Sequence, residues 1–226
     1  MNASKTTSPP EMRLTEIGCI HSPFIQATGT PIQPYRAGSA PGYVNLRPEF
    51  VGGLEGLAGF DRIWLIYWFH RASAARMSVI PYRDTVAHGL FATRVPARPN
   101  SIGISCVRLL NIEGNILRLA EVDILDGTPL LDIKPYVPQY DNYPVQHCGW
   151  LDKVPDKPVV ADDRFERKDF RMPARSLQAQ TNNQINQTEP QYETMPGTQP
   201  KIEIKHLARG SNPAGRDRIG PDLDWR

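Results

Sequence analysis

Ile63-Trp64-Leu65-Ile66-Tyr67-Trp68-Phe69 is the longest apolar run of the 226-residue chain. Seven residues are far too few to span a bilayer as a helix. Apolar side chains fall on odd and even positions alike, so both faces of this strand are expected to be covered, which places it at the centre of a sheet. Just upstream, residues 51–59 read as one short helix. Further strands are expected at 14–20, 43–46, 90–95, 104–111, 116–125 and 130–133, short apolar stretches cut by Gly, Pro and Asn. Gly114-Asn115 between two of them reads as a two-residue hairpin turn. Seven short strands with few short helices predict a mainly β fold, a small single-sheet β-barrel.

The composition changes on both sides of this frame. Residues 1–12 are polar and proline-containing and are expected to be disordered. The barrel domain is expected over 13–152. Beyond it aliphatics thin out, and Gln178-Ala-Gln-Thr-Asn-Asn-Gln-Ile-Asn-Gln-Thr188 is polar low complexity that cannot offset its ordering entropy. Residues 153–226 therefore read as a poorly structured C-terminal tail, in which Lys201-Ile-Glu-Ile-Lys could add one strand.

A net charge of +2 excludes a polycationic nucleic-acid binder, so any RNA contact must come from a local patch. Cys19, Cys106 and Cys148 are widely spaced and form no CxxC pair, which suits a reducing compartment. The N-terminus lacks a hydrophobic signal core, and a cytoplasmic protein with no membrane partner is expected. No GxGxxG, GxxxxGK[ST] or GxSxG motif is present. The five histidines have no metal-ligand spacing, so no metal is expected.

Two stretches are too polar for their apolar surroundings. Phe91-Ala-Thr-Arg94-Val-Pro-Ala-Arg98-Pro99-Asn100-Ser101-Ile102-Gly103-Ile104-Ser105 turns through two prolines and presents Arg98 and Asn100. Pro99 keeps Arg98 out of the helical region, and the stiff loop reads either as a ligand edge or as a solvated turn. Asp126-Gly127-Thr128-Pro129 offers a carboxylate, amides and a hydroxyl, suited to a hydroxylated, amine-bearing small molecule. After it, Asp132, Lys134 and Tyr136 alternate, which puts all three on one face of an extended strand. They read either as a reactive set or as a surface ion pair beside an exposed tyrosine.

These two stretches resemble the FATRxxxRPNPIGxS and DGTPxxDIKPYxP signatures of the TrmO family of tRNA N6-threonylcarbamoyladenosine methyltransferases, which includes YaeB-like and VirR-like bacterial proteins. Ile17-Gly-Cys-Ile-His-Ser-Pro23, Thr30-Pro-Ile-Gln33-Pro34 and the stretch from Gly56 to Arg71 agree in order and spacing. Ser101 stands where the family usually has proline, and the tail resembles nothing in the longer members. The resemblance implies a homodimeric β-barrel that uses S-adenosyl-L-methionine to methylate the exocyclic nitrogen of threonylcarbamoyl-adenosine beside the tRNA anticodon loop. It also implies a cofactor pocket of Gln33, Pro34, His70, Arg71, Arg94, Ile104, Asp126, Gly127, Thr128 and Pro129. Arg98 and Asn100 would meet the substrate, and Arg76, Tyr82 and Arg83 read either as further RNA contacts or as ordinary surface.

A sulfonium methyl donor is already activated, so the enzyme mainly positions it. A ureido nitrogen has a delocalised lone pair, and a base that removes its proton would assist attack. Asp132, or Tyr136 acidified by Lys134, is the expected base. Two other readings stand beside this one: a non-catalytic cofactor-binding regulator or RNA-binding module, and a methyltransferase for another substrate.

Overall fold

The computed structural model describes residues 12–156 and 159–169. Its strands are β1 (Gly18–His21), β2 (Pro41–Leu46), β3 (Arg62–Trp68), β4 (Ser78–Val79), β5 (His88–Gly89), β6 (Ile102–Glu113), β7 (Ile116–Ala120) and β8 (Thr128–Pro135). Six of them close an antiparallel barrel in the order β1-β2-β7-β6-β3-β8, with β8 returning to β1 at Gly18↔Leu130. β4 and β5 form a separate two-residue ladder. Among the described residues no helix is long and apolar enough to cross a membrane.

Inside the barrel, Ile20, Val44, Ile63, Leu65, Val107 and Leu117 are fully buried. β3 lies between β6 and β8 as a central strand should, but it is not covered on both sides. Ile63, Leu65 and Tyr67 point inward, whereas Trp64 and Ile66 are half-buried and Trp68 is exposed. A closed antiparallel barrel has one inside, so alternate side chains of even a wholly apolar strand must face out. Trp64 leans on Tyr136, ring centroids 5.9 Å apart.

Two further expectations need correction. Residues 90–95 are not a strand. Residues Leu90–Ala92 form a 3-10 turn whose carbonyl at Leu90 accepts from both the amide and the hydroxyl of Thr93, a local bond that competes with sheet pairing. The apolar residues there, Leu90, Val95 and Ala97, instead join Val79 and Phe165 in a second small core. The expected helix at 51–59 is two 3-10 segments, Pro48–Leu54 and Leu57–Gly59. Gly56 between them takes φ +78°, which a continuing helix does not allow.

The hairpin turn is as expected: Gly114 has φ +61°, and Glu113 pairs with Ile116 around it. β7 ends earlier than expected because Glu121 takes φ +63° and turns toward Arg62, whose Nη2 donates to it at 2.7 Å.

Residues 159–167, assigned by composition to the tail, run as a strap beside two loops. Gly29 and Thr30 exchange backbone hydrogen bonds with Ala161, Ser73 donates to the carbonyl of Phe165, and Arg167 donates to that of Arg71. Phe165 is buried in the second core. Residues 1–11, Lys201-Ile-Glu-Ile-Lys and the polar stretch before it lie outside the described residues.

Candidate cofactor and substrate site

β3 ends, and β6 and β8 begin, at the same end of the barrel. A cavity of about 800 Å³ opens there, in the size range of small-molecule and cofactor sites. Nine of the expected residues line it: Gln33, His70, Arg71, Tyr82, Arg83, Arg94, Arg98, Ile104 and Thr128. The strap supplies a further wall through Ala161, Phe165 and Glu166. Trp150 closes one side. Its indole donates to the carbonyl of Ala92 at 2.7 Å and stacks on His88 with centroids 4.5 Å apart.

The polar residues of the lining are held in different ways. Arg94 Nη1 reaches Gln33 Oε1 at 3.3 Å, joining two loops across the cavity. Arg71 is buried, pairs with Glu166 of the strap and donates to the Ile25 carbonyl at 2.7 Å, so it acts as a tether. Burial, reinforced by the Arg71 charge, pushes His70 down to about 4 and keeps its imidazole neutral near neutral pH. Arg98 Nη1 donates to the carbonyls of Thr93 at 3.0 Å and Leu90 at 3.4 Å, and its guanidinium lies over the exposed ring of Phe91. It clamps the turn from which it projects.

The remaining expected residues do not line the cavity. Pro34 opens a 3-10 turn beside Gln33, and Asn100 is exposed. Asp126 faces the other way, accepting from His21 Nδ1 at 3.0 Å and from the Ser22 amide at 3.2 Å. This pair raises His21 to about 9, chiefly through the hydrogen bond to Asp126. Gly127, at φ +74°, donates its amide to Ile20, and Pro129 pairs with Cys19 in the ladder. The turn of 126–129 therefore latches β1 to β8, and only Thr128 reaches the cavity.

Asp132, Lys134 and Tyr136 share a face as expected, with Lys134 Nζ 2.8 Å from Asp132 Oδ2. Both members of that ion pair are largely exposed. Asp132 lies about 13 Å along the strand from Thr128, at roughly 3.3 Å per residue. It borders a second cavity, under the 3-10 segments at Glu55 and Phe60. The three are not brought together with the residues of the main cavity.

The barrel interior contributes a polar chain of which only Ser105 belongs to the two long motifs. Ser105, buried on the inward face of β6, donates to Asp123 Oδ1 at 2.6 Å, and the Tyr67 hydroxyl lies 3.1 Å from the Ser105 hydroxyl. Tyr67 and Asp123 both line the cavity. Burial lifts Asp123 to about 7 against the opposing hydrogen bond from Ser105. It also pushes the Tyr67 phenol far above its usual range. One signal was available in the sequence. Gly103, Ser105, Val107 and Leu109 are the alternate, inward positions of β6, and a hydroxyl among them demands a buried partner.

Residues 19–142 match the family model of the tRNA-methyltransferase O N-terminal domain. A probable S-adenosyl-L-methionine-binding protein of Pyrococcus abyssi is 51% identical over 167 residues, which cover 72% of this chain and 91% of the relative. The human tRNA (adenine(37)-N6)-methyltransferase is 36% identical over 137 residues, 57% of this chain and 31% of that protein. The crystal structure of TrmO from Pseudomonas aeruginosa is similar with a TM-score of 0.53 at 41% identity, over 62% of each chain. This chain thus spans most of the archaeal relative but less than two thirds of the crystallised TrmO. With the matched domain occupying more than half of its length, the chain belongs to the tRNA-methyltransferase O family.

Proposed function

We propose that the protein transfers the methyl group of S-adenosyl-L-methionine to the exocyclic nitrogen of threonylcarbamoyl-adenosine beside the anticodon of a tRNA. Membership of the family makes it an S-adenosylmethionine-dependent tRNA methyltransferase; the threonylcarbamoyl substrate is the finer reading. The cavity is the observation that supports it. A purine ring suits the aromatic and apolar walls at Tyr67, Phe69 and Phe165. A sulfonium cation suits a site lined by aromatic faces. When bound, the donor supplies a methyl group already activated by its positive sulfur.

Arg83, Arg94 and Arg98 also line the cavity. Guanidinium groups pair with phosphates and stack on splayed bases, which suits an anticodon loop. On the outer face of β3 and β6, Trp68 is paired with Ile102 and Ile66 with Ile104. Trp68, Ile102 and Ile104 are 47%, 40% and 48% exposed. A patch of this kind suits a second copy in a homodimer. Because Ile102 and Ile104 also border the cavity, that copy would help to close it.

The experiment is to incubate the purified protein and S-adenosylmethionine with tRNA that carries the threonylcarbamoyl group, followed by nucleoside mass spectrometry. Gain of one methyl mass on that nucleoside alone is the expected result. Cofactor binding without methylation would make the protein a regulator, and methylation elsewhere would change the substrate.

A further inference from the structure

Asp123 lies outside both long motifs, yet it is the carboxylate most enclosed by the cavity. It follows β7 on a segment whose neighbours Val122 and Ile124 are buried in the barrel core. They fix the backbone and leave the Asp123 side chain toward the cavity.

The hydrogen-bond chain has a direction. Ser105 has one proton, and it is committed to Asp123 Oδ1. Tyr67 must therefore donate to Ser105, and Asp123 is the accepting end of the chain. Its other oxygen receives no side-chain hydrogen bond from the described residues. Arg94 bears on it only through charge, since its guanidinium is bonded to Gln33. A buried carboxylate with no contacting cation is costly to ionise.

The other candidate bases are worse placed. Glu166 is bound to Arg71. His70, held near 4, is a weak base. Asp132 is at the far end of β8 and paired with Lys134. A general base works best with a conjugate acid close to the operating pH, and Asp123, held near 7, is the one that matches.

We propose that Asp123 is the general base of the methyl transfer, using the oxygen that Ser105 leaves free. The lone pair of the acceptor nitrogen forms the bond to the methyl carbon. The S–C bond breaks and its electron pair stays on sulfur, which becomes a neutral thioether. The N–H proton passes to Asp123, the N–H pair remains on nitrogen, and a neutral carboxylic acid results. The positive sulfonium and the negative carboxylate are neutralised in one step, which favours transfer in an enclosed site of low dielectric. Ser105 and Tyr67 are positioning residues that orient the carboxylate. This inference rests on the proposed methyltransferase reading.

The test is single-turnover methylation of modified tRNA by the wild type, Asp123→Asn and Ser105→Ala, with calorimetric titration of S-adenosylmethionine. Asparagine keeps the shape and accepts the Ser105 hydrogen bond but takes no proton. The Asp123→Asn rate is expected to fall by about 10²-fold or more while donor affinity is retained. The wild-type rate should rise with pH to a plateau, with its midpoint near 7. In Ser105→Ala the midpoint should move upward, because the lost hydrogen bond favoured the ionised carboxylate. A wild-type rate in Asp123→Asn overturns the assignment, and so does loss of donor binding in proportion to rate, which would make Asp123 a donor ligand. A wild-type protein that methylates no tRNA overturns the underlying reading as well, which separates the two failures.

Discussion

Tyr67 occupies the space that a side chain on Gly103 would need. A Cβ at Gly103 would stand 2.5 Å from Tyr67 Cζ and 2.9 Å from Phe69 Cζ. The two residues face each other across the β3–β6 ladder, so the bare glycine backbone is the floor on which the ring lies. That position brings the Tyr67 hydroxyl to Ser105.

Gly103→Ala should therefore displace Tyr67 and break its bond to Ser105. Overpacking of this kind costs about 1–3 kcal/mol, readable as a lower midpoint of urea unfolding. Methylation should fall further than stability explains, because the carboxylate of Asp123 loses its orienting chain. An alanine variant with wild-type stability would mean that the ring has room to move.

Arg98 is bonded to two carbonyls of its own turn, so its removal acts on loop geometry first. Arg98→Ala should reduce methylation more than cofactor affinity and lower stability by about 0.5–1.5 kcal/mol. Were it also to contact phosphate, the slope of tRNA affinity against salt would flatten by roughly one in the variant. Equal losses of cofactor binding and rate would place Arg98 in the donor pocket instead.

The His21–Asp126 latch gives stability a defined pH dependence. The folded value of His21 is raised to about 9 from 6.5, so the folded state binds the proton more tightly than the unfolded chain. Its contribution is complete below 6.5 and is lost as pH rises through 9. Asp126→Asn should be destabilising at the acid end of that window and approach the wild type above it. Unfolding free energies measured on both proteins across this range provide the check, and a constant difference would rule the latch out.

Phe165 and Glu166 lie beyond the boundary that composition suggests, yet they join the second core and the cavity wall. Phe165→Ala should cost about 3–5 kcal/mol, as for other buried aromatics, and should weaken S-adenosylmethionine binding measured by calorimetry. A protein ended at residue 152 should show the same two losses. Unchanged cofactor affinity in that shortened chain would put the whole donor site inside the barrel.

The barrel was legible because alternation and turn residues act locally: β2, β3, β6, β7 and β8 lie where short apolar runs bounded by Gly, Pro and Asn place them. The segment at 90–95 misled because Leu90 and Val95 look the same whether they fill a sheet or a side core. Local bonding by Thr93 settles the matter, and periodicity does not register it. In the site, the loop residues Gln33, His70, Arg71, Arg94 and Arg98 could be named because they sit in stretches that resemble the family. Asp132, Lys134 and Tyr136 share a face as their spacing requires, but spacing says nothing of which barrel end that face serves. Asp123 was not singled out because it falls within the expected strand at 116–125 and in neither long motif. The chain has already left β7 at Ala120, and Asp123 turns to the cavity.

The closure of β8 onto β1 also sets where the molecule is vulnerable during folding. Once Gly18 has met Leu130, every barrel strand has a neighbour on both sides and no edge is left to recruit another chain. Until then β1 and β8, which come from the two extremes of the domain, are open edges of a sheet whose interior already holds the Trp- and Ile-rich β3 and the twelve-residue β6. Pairings between distant segments form slowly. Self-association should therefore compete with folding in the interval before the β1–β8 seam closes, and should respond to how fast that seam forms more than to the stability of the finished barrel.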